Sequence, residues 1–199
     1  MKKKKYEIER DLSYLTLLAQ SFPTVAEAST EIINLQAILN LPKGTEHFLA
    51  DLHGEYEAFQ NVLKNASGNI KRKVNDIFGT TLREAEKREL CTLIYYPEHK
   101  LELIKETETD INDWYHITIH QLVSVCRDVS SKYTRSKVRK SLPSDFKYII
   151  QELLHERVDD SNKAAYVNVI IETIISTGRA DDFIGAICNV IQRLAIDQL

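Results

Sequence analysis

The sequence predicts a mainly α protein, a helical assembly with at most one short strand–helix unit. Three observations lead there. Glycine and proline are scarce, six and four in 199 residues, so few strong turns interrupt the chain. Apolar residues recur at helical spacing through most of its length. Residues that open and close helices stand at the ends of those periodic stretches.

Taken in order, Tyr6 to Ala19 places Ile8, Leu12, Leu15 and Leu18 on one helical face, and Phe22-Pro23 ends it. Thr24 caps a second helix, with Glu27 at the capping-box position and Ile32, Leu35, Ile38 and Leu39 as its apolar face. Leu41 to Gly44 is a turn, and residues 46–50 read as the one strand. Tyr56, Phe59, Val62 and Leu63 resume helical spacing after Gly54, until Asn65 to Asn69 breaks it. Val74, Ile77 and Phe78 form the next stripe, closed by Gly79. Thr81 and Glu84 make a capping box for a helix carrying Leu90, Leu93 and Ile94 towards Tyr95-Tyr96-Pro97. A short helix follows through Leu101 and Ile104. A long one, Asp110 to Tyr133, carries Ile111, Trp114, Ile117, Leu122, Val125 and Val129. Leu142-Pro143-Ser144 opens a helix that buries Phe146, Ile149, Ile150, Leu153 and Leu154. Ser161 to Thr177 is strongly apolar and ends at Gly178, and Asp181 to Ile196 buries Phe183, Ile184, Ile187, Ile191 and Leu194.

Bulk properties remove several functions. A net charge of −3 gives no general attraction to nucleic acid or to membrane surfaces, so neither is an expected partner. Cys91, Cys126 and Cys188 are odd in number, far apart and set in helical apolar patterns, which points to buried thiols rather than a disulfide framework or a zinc site. Lys2 to Lys5 are followed by charged residues rather than an apolar segment, so they do not open a signal peptide, and no apolar run reaches membrane-spanning length. The expected compartment is the cytoplasm.

Chemistry concentrates at Phe48 to Phe59, FLADLHGEYEAF. At the end of a strand, residues two apart point to the same side, so Asp51 and His53 can converge on one metal ion. A carboxylate beside an imidazole suits manganese, iron or zinc. Gly54 allows a tight turn into a helix whose N-terminus favours an anion. The competing reading needs no metal: Asp51 caps the following helix and His53 lies on its exposed first turn. A lone strand also leaves its backbone groups without ladder partners, a sign that the partners belong to residues outside this chain.

The same stretch resembles the first metal motif, D-x-H-G, of calcineurin-like metallophosphoesterases. More narrowly, the chain is similar to the class 3 fructose-1,6-bisphosphatases of bacteria. The likeness continues through Asn65-Ala-Ser-Gly68, Leu93-Ile-Tyr-Tyr-Pro97, Tyr133-Thr-Arg-Ser-Lys-Val-Arg139, Glu172-Thr-Ile-Ile175 and Asn189-Val-Ile-Gln-Arg-Leu194. Ala50 stands where the broader superfamily often has glycine. The resemblance implies manganese-dependent hydrolysis of fructose 1,6-bisphosphate to fructose 6-phosphate and phosphate, in gluconeogenesis. It gives Asp51 and His53 the role of ligands to one metal of a two-metal centre. It divides the chain into N-terminal helices (1–40), the first strand–helix unit of an α/β phosphoesterase core (41–66) and a helical insertion (67–199). The family's later motifs, G-D-x-x-D-R and G-N-H-D, do not occur in this chain. The chain therefore reads as the N-terminal part of a longer enzyme, inactive alone and with no catalytic residue assignable within it. The alternative is a non-catalytic helical binding or scaffolding module with a vestigial metal motif.

Two further clusters have bland readings beside their functional ones. His116 and His120 share a helical face at a spacing that can hold a metal, but they lack the flanking pattern of a zinc helix, and packing accounts for them. Arg135, Lys137 and Arg139 belong to a basic run that is either a solvated face or an anion site for a substrate or effector phosphate. An incomplete enzyme core would also expose apolar surface, which makes a homo-oligomer one expected assembly.

Overall fold

The computed structural model describes residues 2–41, 53–155 and 161–196. The chain forms two compact units, residues 1–42 and 43–199. All regular structure among the described residues is helical. The strand expected at 46–50 lies outside the described residues.

The first unit holds α1 (Lys2–Ser21) and α2 (Val25–Ile38). The Thr24 hydroxyl accepts from the Glu27 amide at 3.2 Å, and the Glu27 carboxylate accepts from the Thr24 amide at 3.0 Å. This is the predicted capping box, and it satisfies two amides that the helix start would otherwise leave bare. The expected apolar face of α2 is present but exposed: Ile32, Leu35, Ile38 and Leu39 all remain open to solvent.

The second unit runs α3 (Tyr56–Asn65), α4 (Asn69–Phe78), α5 (Glu84–Tyr95), α6 (Pro97–Thr107), α7 (Ile111–Ser130), α8 (Arg135–Ser141), α9 (Lys147–His155), α10 (Ser161–Ser176) and α11 (Ala180–Ala195). Its hub is α11, which lies chiefly along α7 and also touches α3, α4, α5, α6, α8 and α10. The sequence dictates this. Phe183, Ile184, Ile187, Cys188, Val190, Ile191, Leu194 and Ala195 are apolar almost all round the helix, and all are buried. A helix with so little polar surface must be enclosed by others. Phe183 meets Phe146 edge to face, with centroids 5.4 Å apart, and joins the start of α9 to the hub.

Polar side chains fasten the hub at both ends. Near its start, the Tyr115 hydroxyl donates to Asp181 at 2.6 Å, and Lys105 pairs with the same carboxylate. Near its end, Asn69 Nδ2 donates to the Ala195 carbonyl at 3.2 Å and Tyr133 donates to the Leu194 carbonyl at 3.0 Å. The last carbonyls of a helix have no partner within it, so these two residues act as remote C-terminal caps. Gly178, with φ of 70°, ends α10 by letting the Arg179 amide reach back to Ile174 at 3.0 Å.

Four sequence expectations are corrected. The box opening α5 is built on Arg83 and Glu86 rather than Thr81 and Glu84: the Glu86 carboxylate accepts from the Arg83 amide at 2.7 Å and from its guanidinium at 2.8 Å. The long helix ends at Ser130 rather than Tyr133. Ile117 is 49% exposed, because the inward stripe of α7 runs through Tyr115, Ile119, Leu122, Val125, Cys126 and Val129. Helix α8 has no counterpart among the expected elements; Thr134 caps it and Val138 is its one buried residue. The cysteines are buried free thiols, as expected, and burial raises Cys126 to about 12.

Candidate functional site

Two regions carry the chemistry read from the sequence. The first is the corner around His53. Asp51 lies outside the described residues, so no position is assigned to it. His53 is exposed and holds a left-handed backbone, with φ of 42°, followed by Gly54 at 77°. Histidine adopts that region more readily than most residues, and glycine does so freely. The Tyr56 amide donates to the Gly54 carbonyl at 2.8 Å, and α3 starts there with Glu55 in the capping position. The cap position of this helix belongs to Glu55, whose side chain makes no capping hydrogen bond. His53 stands in the turn before the helix rather than in its first turn.

The donors at this corner suit a divalent ion: an imidazole on an exposed turn, with a carboxylate two residues earlier in the sequence. They supply two ligands. Among the described residues, no three His, Cys, Asp or Glu side chains gather into a metal site. Glu57 places a carboxylate in the first turn of α3, which works against an anion at that helix end.

The second region is the basic run. Here the structure divides the three residues named from the sequence. Arg135 and Arg139 lie one turn apart on α8 and line an open groove of about 570 Å³ with Ser136, Lys140, Lys147, Gln151 and His155. Lys137 is two positions from each, turned by about 200° on a helix, and its ammonium sits 4.2 Å from the Tyr133 ring centre instead. Lys147, Gln151 and His155 were not found by sequence reasoning. Their signal was present, since they recur every four residues beside the stripe of Ile150, Leu153 and Leu154, but its meaning depends on α8 being a helix that lines the same groove.

The paired histidines of α7 meet with ring centres 4.9 Å apart and planes tilted by 58°. Burial lowers the pKa of His120, and the neighbouring His116 adds to the shift, while a hydrogen bond with Asn168 opposes it. The pair is a packing feature between α7 and α10, without a third ligand among the described residues.

Residues 13–199 match the family described as Firmicute fructose-1,6-bisphosphatase. The chain is 77% identical over 192 residues to a protein of Bacteroides fragilis named fructose-1,6-bisphosphatase class 3, covering 96% of this chain and 29% of that one. Proteins of the same name from Phocaeicola vulgatus and Clostridium botulinum are 76% and 64% identical over the same length, with the same coverage. The chain thus spans 29% of the length of these curated relatives. No solved structure matches it.

Proposed function

This chain belongs to the Firmicute fructose-1,6-bisphosphatase family, and from that membership we propose that it is the N-terminal part of a metal-dependent phosphatase. The reaction is hydrolysis of fructose 1,6-bisphosphate to fructose 6-phosphate and phosphate. The observation that carries the reading is the match over residues 13–199, which includes D-x-H-G intact. The exposed turn that carries His53 ahead of α3 is compatible with a metal donor there.

In this reading Asp51 and His53 hold manganese, giving one hard oxygen and one imidazole nitrogen. Bound there, the metal supplies Lewis acidity towards phosphate and towards the attacking water. The left-handed turn at His53 and Gly54 sets the imidazole ahead of α3, clear of the helix's own hydrogen-bonded backbone. The chain lacks G-D-x-x-D-R and G-N-H-D, so the remaining ligands come from other parts of a longer protein, and this chain alone is inactive.

The test measures phosphate release from fructose 1,6-bisphosphate, with manganese, by a longer protein that carries this segment and by this chain alone. The longer protein is expected to turn over and the chain to give background. Asp51→Asn and His53→Asn should reduce the longer protein to background and weaken its manganese binding. Activity in the chain alone equal to that of the longer protein would overturn the incomplete-site reading. Full activity in Asp51→Asn would favour the non-catalytic helical module instead.

A further inference from the structure

The groove between α8 and α9 is the strongest concentration of unpaired charge among the described residues. Arg135, Arg139, Lys140 and Lys147 line it, with His155 and Gln151, and among the described residues no carboxylate does. Elsewhere in the same unit cations find partners: Lys73 with Asp128, Lys87 with Glu84, Lys105 with Asp181 and Arg179 with Asp182. Among the described residues none of the four groove cations makes a side-chain hydrogen bond or an ion pair.

Helix electrostatics explains only half of this set. Arg139 and Lys140 sit in the last turn of α8, where a cation is favoured by the helix dipole. Arg135 and Lys147 each occupy the first position of a helix, where a cation opposes that dipole. Four like charges around one concavity also repel each other. An anion in the groove reverses the sign of both effects. The two arginines offer planar forks for phosphate oxygens, and the lysines offer point charges from the facing side. The volume, about 570 Å³, is that of a small-molecule site.

We propose that this groove binds a small molecule bearing two phosphate groups, held by Arg135 and Arg139 on one wall and Lys147 on the other. Two phosphates match four cations spread over two helices better than one. The overall negative charge of the chain disfavours a long polyanion such as nucleic acid, which needs a wider basic surface. The proposal does not rest on the phosphatase reading, because it concerns binding by these helices without metal.

Titration calorimetry on this chain, in chelator and at low salt, tests it with pyrophosphate as the probe. One-to-one saturable binding is expected, weakening as salt rises. The double variant Arg139→Gln/Lys147→Gln should weaken it roughly a hundredfold, about tenfold for each charge-assisted hydrogen bond removed. Lys71→Gln, outside the groove, should leave it unchanged. Arg139 is exposed and Lys147 half-buried, so far-UV circular dichroism should show the double variant folded. Fructose 1,6-bisphosphate and ADP form two further arms. The tighter one names the source of the phosphates, and both must lose affinity in the double variant. No saturable binding at millimolar pyrophosphate, or binding indifferent to the double variant, would overturn the proposal. So would a short single-stranded DNA that outcompetes pyrophosphate.

Discussion

Replacing Asn69 with alanine should loosen the far end of the hub helix, 126 residues away in sequence. Asn69 is 6% exposed and Ala195 fully buried, so water cannot easily replace the lost donor. A buried carbonyl left without a partner costs about 1–3 kcal/mol. Alanine at a helical position returns up to roughly 0.6 kcal/mol of propensity, which leaves a net loss of no less than about 0.5 and up to about 2.5 kcal/mol. Tyr133→Phe removes the neighbouring cap on Leu194, but Tyr133 is half-buried and water can enter, so its cost is about 1 kcal/mol or less. The double variant should cost less than the sum, because both residues hold the same last turn. Urea unfolding followed by circular dichroism measures the three values. Hydrogen exchange should show faster opening of amides 192–196 before the rest of α11. An Asn69→Ala variant within about 0.5 kcal/mol of the parent, or less affected than Tyr133→Phe, would refute the capping role.

Two other outcomes follow from the same interior. Tyr115→Phe should destabilise by about 1–2 kcal/mol, the low side for a bond to a charged acceptor, since Lys105 still pairs with Asp181; a thermal melt unchanged from the parent would show that the bond adds nothing to stability. For His120 the sign follows from its lowered pKa: burial, reinforced by His116, favours the neutral ring in the fold, so its contribution is present above the ordinary pKa of about 6.5 and is lost as pH falls through the lower folded value. His120→Gln should flatten that part of the stability profile, and an equally steep acid loss in the variant would assign the slope to other groups.

How much of the fold was legible in the sequence depended on whether local chemistry had a rival. Thr24 and Glu27 form the box that their spacing announces, because no second pair competes for the start of α2. At α5, Thr81 with Glu84 and Arg83 with Glu86 share the same spacing; the Thr81 amide is drawn back to the Phe78 carbonyl at 2.7 Å, which delays the helix. Ile111, Trp114 and Ile117 mimic an inward stripe as well as Tyr115, Ile119 and Leu122 do, and only the position of the hub decides between them. Helix α8 has seven residues and one buried side chain, too little for a periodic signal. Without that helix, Arg135, Lys137 and Arg139 read as one run, although a helix must separate the middle one from its neighbours. For the metal corner, Asp51-x-His53 was visible from spacing alone, whereas the identity of the helix cap required the backbone.

The bond from Asn69 to Ala195 also has a topological meaning. The first residue of α4 and the last of α11 stand within hydrogen-bonding reach, so the run of helices from α4 to α11 starts and finishes at one place. A short linker joining those two ends would close the run into a ring, the condition for reordering it by circular permutation.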